Sequence, residues 1–221
     1  MTTWIIVGIV ITLVIVAVLI RAAAWSMSEH KQLERELRDS PRTTAARLEA
    51  GATGRLAGVV TSDATLRAPL TGRACVAYVA RVEERMPRGQ GARWVERIHE
   101  IRGVPFTLDD GTGRALIDPG QSTLLLQMDA TTRSGILDSA TPVEASFLER
   151  HGVASTGVWL NKTLRYTEGV IEPGERVAIV GRGVREPDPD AGPDALATRI
   201  RLGGSEDQPI LITNRADLIG P

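Results

Sequence analysis

The segment that most restricts the fold is ACVAYVARVEER, residues 74–85. Successive side chains of a strand point to opposite faces, so this alternation places Tyr78 on one face and Val79 on the other. Both faces are apolar until the charged residues begin at Arg81. Such a pattern is typical of a strand that is buried on both sides. The sequence therefore predicts a domain that covers this strand from two directions.

From residue 54 onwards most of the chain carries strand and turn signals. The Gly/Pro segment MPRGQGA separates the first strand from the alternating segment RWVERIHEIRG, which predicts a hairpin. An Asp-Gly pair at positions 110–111 marks the turn of a second hairpin, and a Pro-Gly pair at 173–174 indicates a type II turn. A capping box at positions 141–144 predicts one helix. Two closing strands, LATRIRL and PILITN, complete a mostly antiparallel domain.

The N-terminus carries a long apolar run. Residues 4–20 contain no charge, and as a helix rising ~1.5 Å per residue they are roughly 25 Å long. The alanines before Trp25 extend the run towards the ~30 Å of a bilayer core. We therefore expect a transmembrane anchor over residues 1–25 that contacts the lipid bilayer through residues 4–25. The alternative is a secretory signal peptide, but no Lys or Arg precedes the run.

The charges after this run predict the orientation and location. Arg21 and Lys31 follow the apolar residues, so the positive-inside rule places the C-terminal part in the cytoplasm. Lys31 and Lys162 are the only lysines among 26 basic residues, a bias that indicates high-GC coding and a bacterial source. The expected location is the bacterial inner membrane, with the domain in the cytoplasm.

Three regions are predicted along the chain: an anchor over residues 1–25, a helical juxtamembrane stalk over residues 26–53, and a β-rich domain over residues 54–221. The stalk is predicted from the leucine spacing in SEHKQLERELRDS and from Ser40-Pro41, which indicates the start of a second short helix. The predicted fold class is α+β: a single N-terminal transmembrane helix, a short helical stalk, and a mostly antiparallel β-rich domain with one or two helices.

Few residues offer catalytic or metal chemistry. The chain has one cysteine and three scattered histidines, so an internal disulfide and a structural zinc site are excluded and no cofactor is expected. Cys75 lies in the alternating apolar strand, where we expect an inert packed thiol rather than a nucleophile. The net charge of -1 and the pI near 6.3 give no electrostatic reason to expect nucleic acid as a partner. No catalytic residue is predicted.

Three segments carry a resemblance to a known family. They are APLTGRACVAYVARVEER, PFTLDDGTGRALI and RYTEGVIEPGERVAIVGRG, and a tryptophan, Trp94, follows the first. Together they resemble the GIDE domain, also called the beside-a-membrane (BAM) domain, of MAPL/MULAN-like E3 ubiquitin ligases in mitochondrial and chloroplast outer membranes. The resemblance covers roughly residues 54–218. It implies a domain that binds substrates or senses partners beside a membrane.

The ligases of that family also have a second membrane span and a RING finger, which holds zinc through Cys and His ligands. We expect this polypeptide to lack both, because it has a single cysteine and no second apolar run. The expected function is therefore a membrane-anchored, non-catalytic module that binds or senses an unknown protein partner. The alternative is a RING-type E3 ubiquitin transferase by domain homology, with the catalytic RING missing. A hydrolase or transferase of another kind has no recognisable site.

Four polar residues around the first motif are the candidate contacts for a protein partner: Arg73, Glu83, Glu84 and Arg85. An edge strand beside them is open to β-strand addition by a peptide. The alternative interpretation is that these side chains form ion pairs that stabilise the end of the strand.

Overall fold

The computed structural model of the protein describes residues 31–89, 91–134, 140–153, 163–187 and 198–220. The chain divides into a first unit, Met1–Asp39, and a second unit, Ser40–Pro221. In the first unit residues 31–39 are helical and belong to helix α1. The second unit contains thirteen strands and two α-helices within its described residues.

The strands of the second unit follow one another closely along the chain. Their bounds are β1 Thr53–Thr61, β2 Leu66–Arg67, β3 Ala74–Cys75, β4 Ala77–Arg88, β5 Gly91–Gly103, β6 Phe106–Asp109, β7 Arg114–Asp118, β8 Ser122–Leu124, β9 Ala130–Ser134, β10 Leu164–Ile171, β11 Arg176–Pro187, β12 Thr198–Gly203 and β13 Ile210–Thr213. Helix α2 is Pro142–Arg150 and helix α3 is Ala216–Ile219.

Five of these strands close into a barrel in the order β1-β6-β7-β12-β11, and β11 pairs back onto β1. All the contacts around the barrel are antiparallel except that between β7 and β12. Numbered within the barrel alone, the order is 1-2-3-5-4-1, with a parallel contact between the third and fifth strands. This is the connectivity of the OB-fold, a five-stranded Greek-key barrel. Strands β13 and β8 extend the same sheet beyond β11.

A second, four-stranded sheet is built from two long connections of the barrel. Its order is β5-β4-β10-β9. The connection between β1 and β6 supplies β4 and β5, and the connection between β7 and β11 supplies β9 and β10. Because these strands come from distant parts of the chain, the sheet brings the first and third sequence motifs together along the β4–β10 contact.

Strand β4 is covered from two sides, as its alternation predicts. Tyr78 and Val82 belong to a core shared with α2, in which Phe147 is fully buried. On the opposite face Ala77 and Val79 join the core of the barrel. On this face of β4 the barrel core ends at Val79, and the charged residues begin at Arg81. The face of the four-stranded sheet that points away from α2 is therefore open beyond Val79.

Helix α2 begins as the sequence predicts. The Thr141 hydroxyl accepts a hydrogen bond from the Glu144 amide, and the Glu144 carboxylate accepts one from the Thr141 amide, which completes the capping box. Pro142 occupies the first turn, where its missing N–H costs no intrahelical bond. Gly152, with φ of 70°, follows the helix at the position that favours glycine.

The predicted α+β class is wrong, because the described part of the second unit is mostly β. The helix expected after Ser40 is also absent: residues 40–52 are irregular, apart from turns around Thr44. Tertiary contacts explain the difference. Leu48 is buried in the barrel core, and the Asp110 carboxylate accepts a hydrogen bond from the Ala45 amide at 2.6 Å.

A further correction concerns the expected single-pass membrane protein. Among the described residues no helix is long and apolar enough to cross a bilayer, since α2 has nine residues and α3 has four, against about 20 for a membrane-spanning helix. The expected anchor, residues 1–25, lies outside the described residues. We therefore retain neither the transmembrane assignment nor the inner-membrane location, and the bilayer is not carried forward as a partner.

Candidate functional site

The four residues predicted to contact a partner lie in two separate places. Arg73 lies in the loop between β2 and β3, whereas Glu83, Glu84 and Arg85 are consecutive residues near the far end of β4. The Arg73 guanidinium forms a two-point ion pair with Asp129, with distances of 2.6 and 2.7 Å. This hydrogen bonding raises the pKa of Arg73 and lowers that of Asp129. Arg73 therefore has a structural partner.

Glu83 and Glu84 also have partners, on opposite faces of the four-stranded sheet. Glu83 forms an ion pair with Arg165 of β10 at 2.7 Å. Glu84 is buried, and it accepts a hydrogen bond from Arg97 of β5 at 2.8 Å. Arg85 is exposed, and within the described part of the chain its guanidinium has no hydrogen bond or ion pair. Glu83 and Glu84 therefore fit the alternative interpretation, in which these side chains form ion pairs at the end of the strand. Arg85 does not fit it, because it has no such pair.

Arg85 belongs to a larger surface that the sheet register defines. Paired residues of antiparallel strands point to the same side. The surface away from α2, beyond the barrel core, is called the sheet face below. It consists of Thr131 and Arg133 from β9, Arg165 and Thr167 from β10, Arg81, Glu83 and Arg85 from β4, and Trp94, Glu96, His99 and Ile101 from β5.

Trp94 lies at the centre of the aromatic and cationic contacts of the sheet face. Its indole is half-buried, and the Arg165 guanidinium carbon is 4.4 Å from the ring centroid. The Arg133 guanidinium carbon is 5.9 Å from the centroid. Both distances are within the range of cation–π attraction. Arginine side chains from β10 and β9 thus converge on one tryptophan of β5.

The sheet face has more cationic than anionic side chains, four arginines against two glutamates. Arg165 is paired with Glu83, and Arg81 lies 3.8 Å from Glu96. Within the described residues Arg133 has a cation–π contact with Trp94 but no ion pair, and Arg85 has no side-chain hydrogen bond or ion pair. Since guanidinium groups stay protonated, these two arginines present positive charge to solvent.

His99 is the one imidazole on the sheet face. Burial, together with the positive charge of Arg81, lowers its pKa, and the nearby Glu96 acts in the opposite direction. The Arg81 Nε donates to the His99 Nε2 at 3.4 Å. A neutral His99 can accept this bond, whereas a protonated one cannot. The positive charge of the sheet face near neutral pH therefore comes from its arginines.

A shallow cleft of about 410 Å³ adjoins the sheet face at the end of the β4–β5 hairpin. Arg85 forms part of its wall, and Met86 and Pro87 contribute apolar surface. Exposed Ile101 lies at the other end of the sheet face. The surface thus combines apolar area with positive charge that no carboxylate among the described residues neutralises.

A buried polar cluster lies on the other side of the four-stranded sheet. The Glu100 carboxylate accepts a hydrogen bond from the Tyr78 hydroxyl, lies 2.6 Å from the His151 Nε2 and is paired with Arg102 at 3.1 Å. Burial raises the pKa of Tyr78, and its bond to Glu100 raises it further. The polar groups of this cluster satisfy one another and join the end of α2 to β5.

The described residues also show the surroundings of Cys75 and of the side chains that could bind a metal ion. The predicted packing of Cys75 is confirmed: its side chain is fully buried, and burial raises the pKa of its thiol to about 11. No group of three or more His, Cys, Asp or Glu side chains in the described ranges is arranged to hold a metal ion.

Comparisons with known proteins give no family. No family model, no curated protein and no solved structure matches this chain. The resemblance to the GIDE domain therefore stays a prediction.

Sequence reasoning found one half of the sheet face and missed the other. Glu83 and Arg85 were identifiable from their position at the end of an apolar strand. Arg133 and Arg165 were not, because they reach Trp94 only through the strand order β5-β4-β10-β9. The one available signal was the alternation within β10, which places Arg165 opposite the buried Tyr166.

Proposed function

We propose that this chain is a non-catalytic module that binds a protein partner through the sheet face. The observation that carries the proposal is the half-buried Trp94 in contact with both Arg133 and Arg165, beside the unpaired Arg85. Tryptophan and arginine are the residues most enriched at the energetic centres of protein interfaces. Here the tryptophan ring is held in place before any partner binds.

Two further features support binding over catalysis. The cleft beside the sheet face includes Met86 and Pro87 in its wall, and the buried Glu84 carboxylate, which also lines it, is paired with Arg97 at 2.8 Å. The buried ionisable residues, such as Glu84 and Glu100, are paired within the fold. A catalytic site instead exposes perturbed ionisable groups to a substrate pocket.

Site-specific photo-crosslinking in the native cell tests the proposal. A photoreactive residue at Thr131 or Thr167 stands on the sheet face, and one at Val184 of β11, which is 56% exposed, serves as the control on the barrel. We expect a discrete protein adduct from the sheet-face positions that is lost when Trp94→Ala is added. Equal adducts from Val184, or none from the sheet face, would overturn the proposal.

The alternative expectation, RING-type ubiquitin transfer, is tested separately. Purified protein is incubated with ubiquitin, an activating enzyme and a panel of conjugating enzymes. We expect no ubiquitin conjugates above a reaction without the protein. Conjugates that depend on this chain would contradict a purely binding role.

A further inference from the structure

We infer that the partner of the sheet face is an extended, acidic protein segment whose carboxylates contact Arg85 and Arg133, the two arginines near Trp94 that no glutamate neutralises. This inference rests on the proposed function and adds the chemistry of the partner. Its basis is the unequal neutralisation of the four arginines. Arg81 and Arg165 already face glutamates on the same surface, and Arg85 and Arg133 do not.

The register of the sheet fixes how far apart the two free cations lie. Arg133 pairs with Arg165, which pairs with Glu83, so Arg133 is two strands away from β4. Arg85 lies two residues further along β4. With about 4.8 Å between strands and about 3.4 Å per residue, the two Cα atoms are roughly 12 Å apart.

This separation determines the spacing of the acidic residues. An extended chain advances about 3.3 Å per residue, and side chains on one side recur every second residue. Carboxylates at positions i and i+4 of the partner are then roughly 13 Å apart on the same side. The residue at position i+2 of the partner then faces Trp94, and an apolar side chain at that position can pack against the indole.

The partner crosses the face of the sheet rather than extending one of its edges. Edge strands are protected by bulges, charges and short length. The β4–β5 pairing is interrupted at Val82/Glu83, and Arg97 and Arg102 lie along β5. Strand β9, at the other edge, has five residues. Trp94, Arg85 and Arg133 all project from the sheet face, so the contacts of the partner lie on that face rather than along an edge.

Nucleic acid is the competing anionic partner, and the sheet face fits it less well. Single-stranded nucleic acids need a basic groove and open aromatic faces on which bases stack. Here Arg165 covers one face of Trp94, so that face is not open for a base to stack on.

The barrel is the other surface on which a nucleic acid partner has to be considered. OB-folds bind oligonucleotides on the face of their second and third strands, which correspond to β6 and β7 here. Arg201, beside β7, is paired with Asp118 at 2.6 Å, and Arg199 is paired with Glu186 at 2.8 Å. Both of these arginines are therefore neutralised by carboxylates of the barrel.

Peptide binding by the full chain tests the inference. The probes are fluorescent twelve-residue peptides with an apolar centre and two Asp residues four apart, and the same peptides with Asn in their place. We expect the Asp peptides to bind at least tenfold more tightly at low salt, and this preference to shrink as salt is added. The combined change Arg85→Glu and Arg133→Glu abolishes the preference.

Arg93→Glu is the matched control for the single change Arg85→Glu, because it makes the same charge change in the same hairpin. Arg93 is exposed and pairs with Met86, so it projects from the opposite side of β5 to Trp94. It should leave the Asp preference unchanged. Equal binding of the Asp and Asn peptides, or an equal loss in Arg93→Glu, would overturn the inference. Tighter binding of a single-stranded DNA homopolymer would assign the face to nucleic acid.

The crosslinking experiment separates the two proposals. If the sheet face forms a protein adduct, mass spectrometry identifies the crosslinked segment. A segment with at least two acidic residues supports the inference, and a neutral or basic segment overturns it while leaving the binding function intact. The absence of any sheet-face adduct removes the proposed function itself.

Discussion

The Glu168 carboxylate accepts a hydrogen bond from the backbone amide of Leu70 at 2.7 Å, across 98 positions of the sequence. It also accepts from the amide of Thr71 at 3.1 Å and from the Thr71 hydroxyl. Glu168 is fully buried on β10. One carboxylate therefore holds the loop of the first sequence motif against a strand of the third.

This contact predicts that Glu168→Gln lowers the free energy of unfolding by about 1–3 kcal/mol. A glutamine keeps one acceptor oxygen but turns its NH₂ group towards a backbone amide, so one buried donor loses its partner. Urea unfolding followed by circular dichroism measures the change. Glu172→Gln is the control, because the Glu172 side chain is 38% exposed, and it should change stability by less than about 0.5 kcal/mol. An equal loss of unfolding free energy in the two variants would show that the hydrogen bonds to Glu168 make no specific contribution to stability.

The parts of the fold that sequence reasoning found are those with local signals. The alternation of β4 predicted burial on both faces, and Tyr78 and Val79 do lie in different cores. The capping box at Thr141 predicted the start of α2. The turn glycines Gly111 and Gly174 have φ of 81° and 91°, which is the backbone region that favours glycine. Each of these signals acts within a few residues.

The parts that sequence reasoning missed depend on contacts between distant segments. Closure of the barrel needs β1 to pair with β11, where Ala57 lies opposite Ala178. Residues 40–52 carry a helix-like pattern, but burial of Leu48 in the barrel core decides their conformation. The site was half predicted for the same reason, because no local pattern places Arg133 near Trp94.

The buried thiol gives a second prediction. Cys75 is the only cysteine, and at pH 8 a pKa of about 11 leaves roughly a thousandth of it as reactive thiolate. We expect the native protein to react with a disulfide reagent at least a hundredfold more slowly than the protein in 8 M urea. The reaction rate should also rise in parallel with unfolding as urea is added. Fast labelling of the native protein would contradict the burial of Cys75.

The close approach of a turn to β1 gives a third prediction. A Cβ atom at Gly58 would lie 2.7 Å from the Asp109 carbonyl carbon and 3.0 Å from the Asp110 nitrogen. Both are backbone atoms, so Gly58→Ala forces the β6–β7 turn away and should cost about 1–3 kcal/mol of stability. Gly91→Ala is the control, since its nearest atom is the Arg88 oxygen at 3.8 Å. Thermal unfolding of both variants checks the difference, and equal melting temperatures would refute the contact.

The Glu100 cluster makes the stability of the fold depend on pH. Burial raises the pKa of Glu100, but the hydrogen bonds from Tyr78 and His151 and the charge of Arg102 outweigh burial and lower it. A carboxylate whose pKa is lower in the folded state contributes stability above its unfolded pKa of about 4.3, and loses that contribution as pH falls through the folded value.

Glu100→Gln should therefore flatten the decline in unfolding free energy that the unmodified protein shows as pH falls from about 5 towards 3. The two proteins should differ most near neutral pH, where the native carboxylate is fully ionised and paired. Urea unfolding at a series of pH values measures this. Glu96→Gln is the control on the same strand, because the Glu96 side chain is 47% exposed and its exposed ion pairs contribute little. Parallel stability curves for Glu100→Gln and the unmodified protein would show that the cluster does not set the pH response.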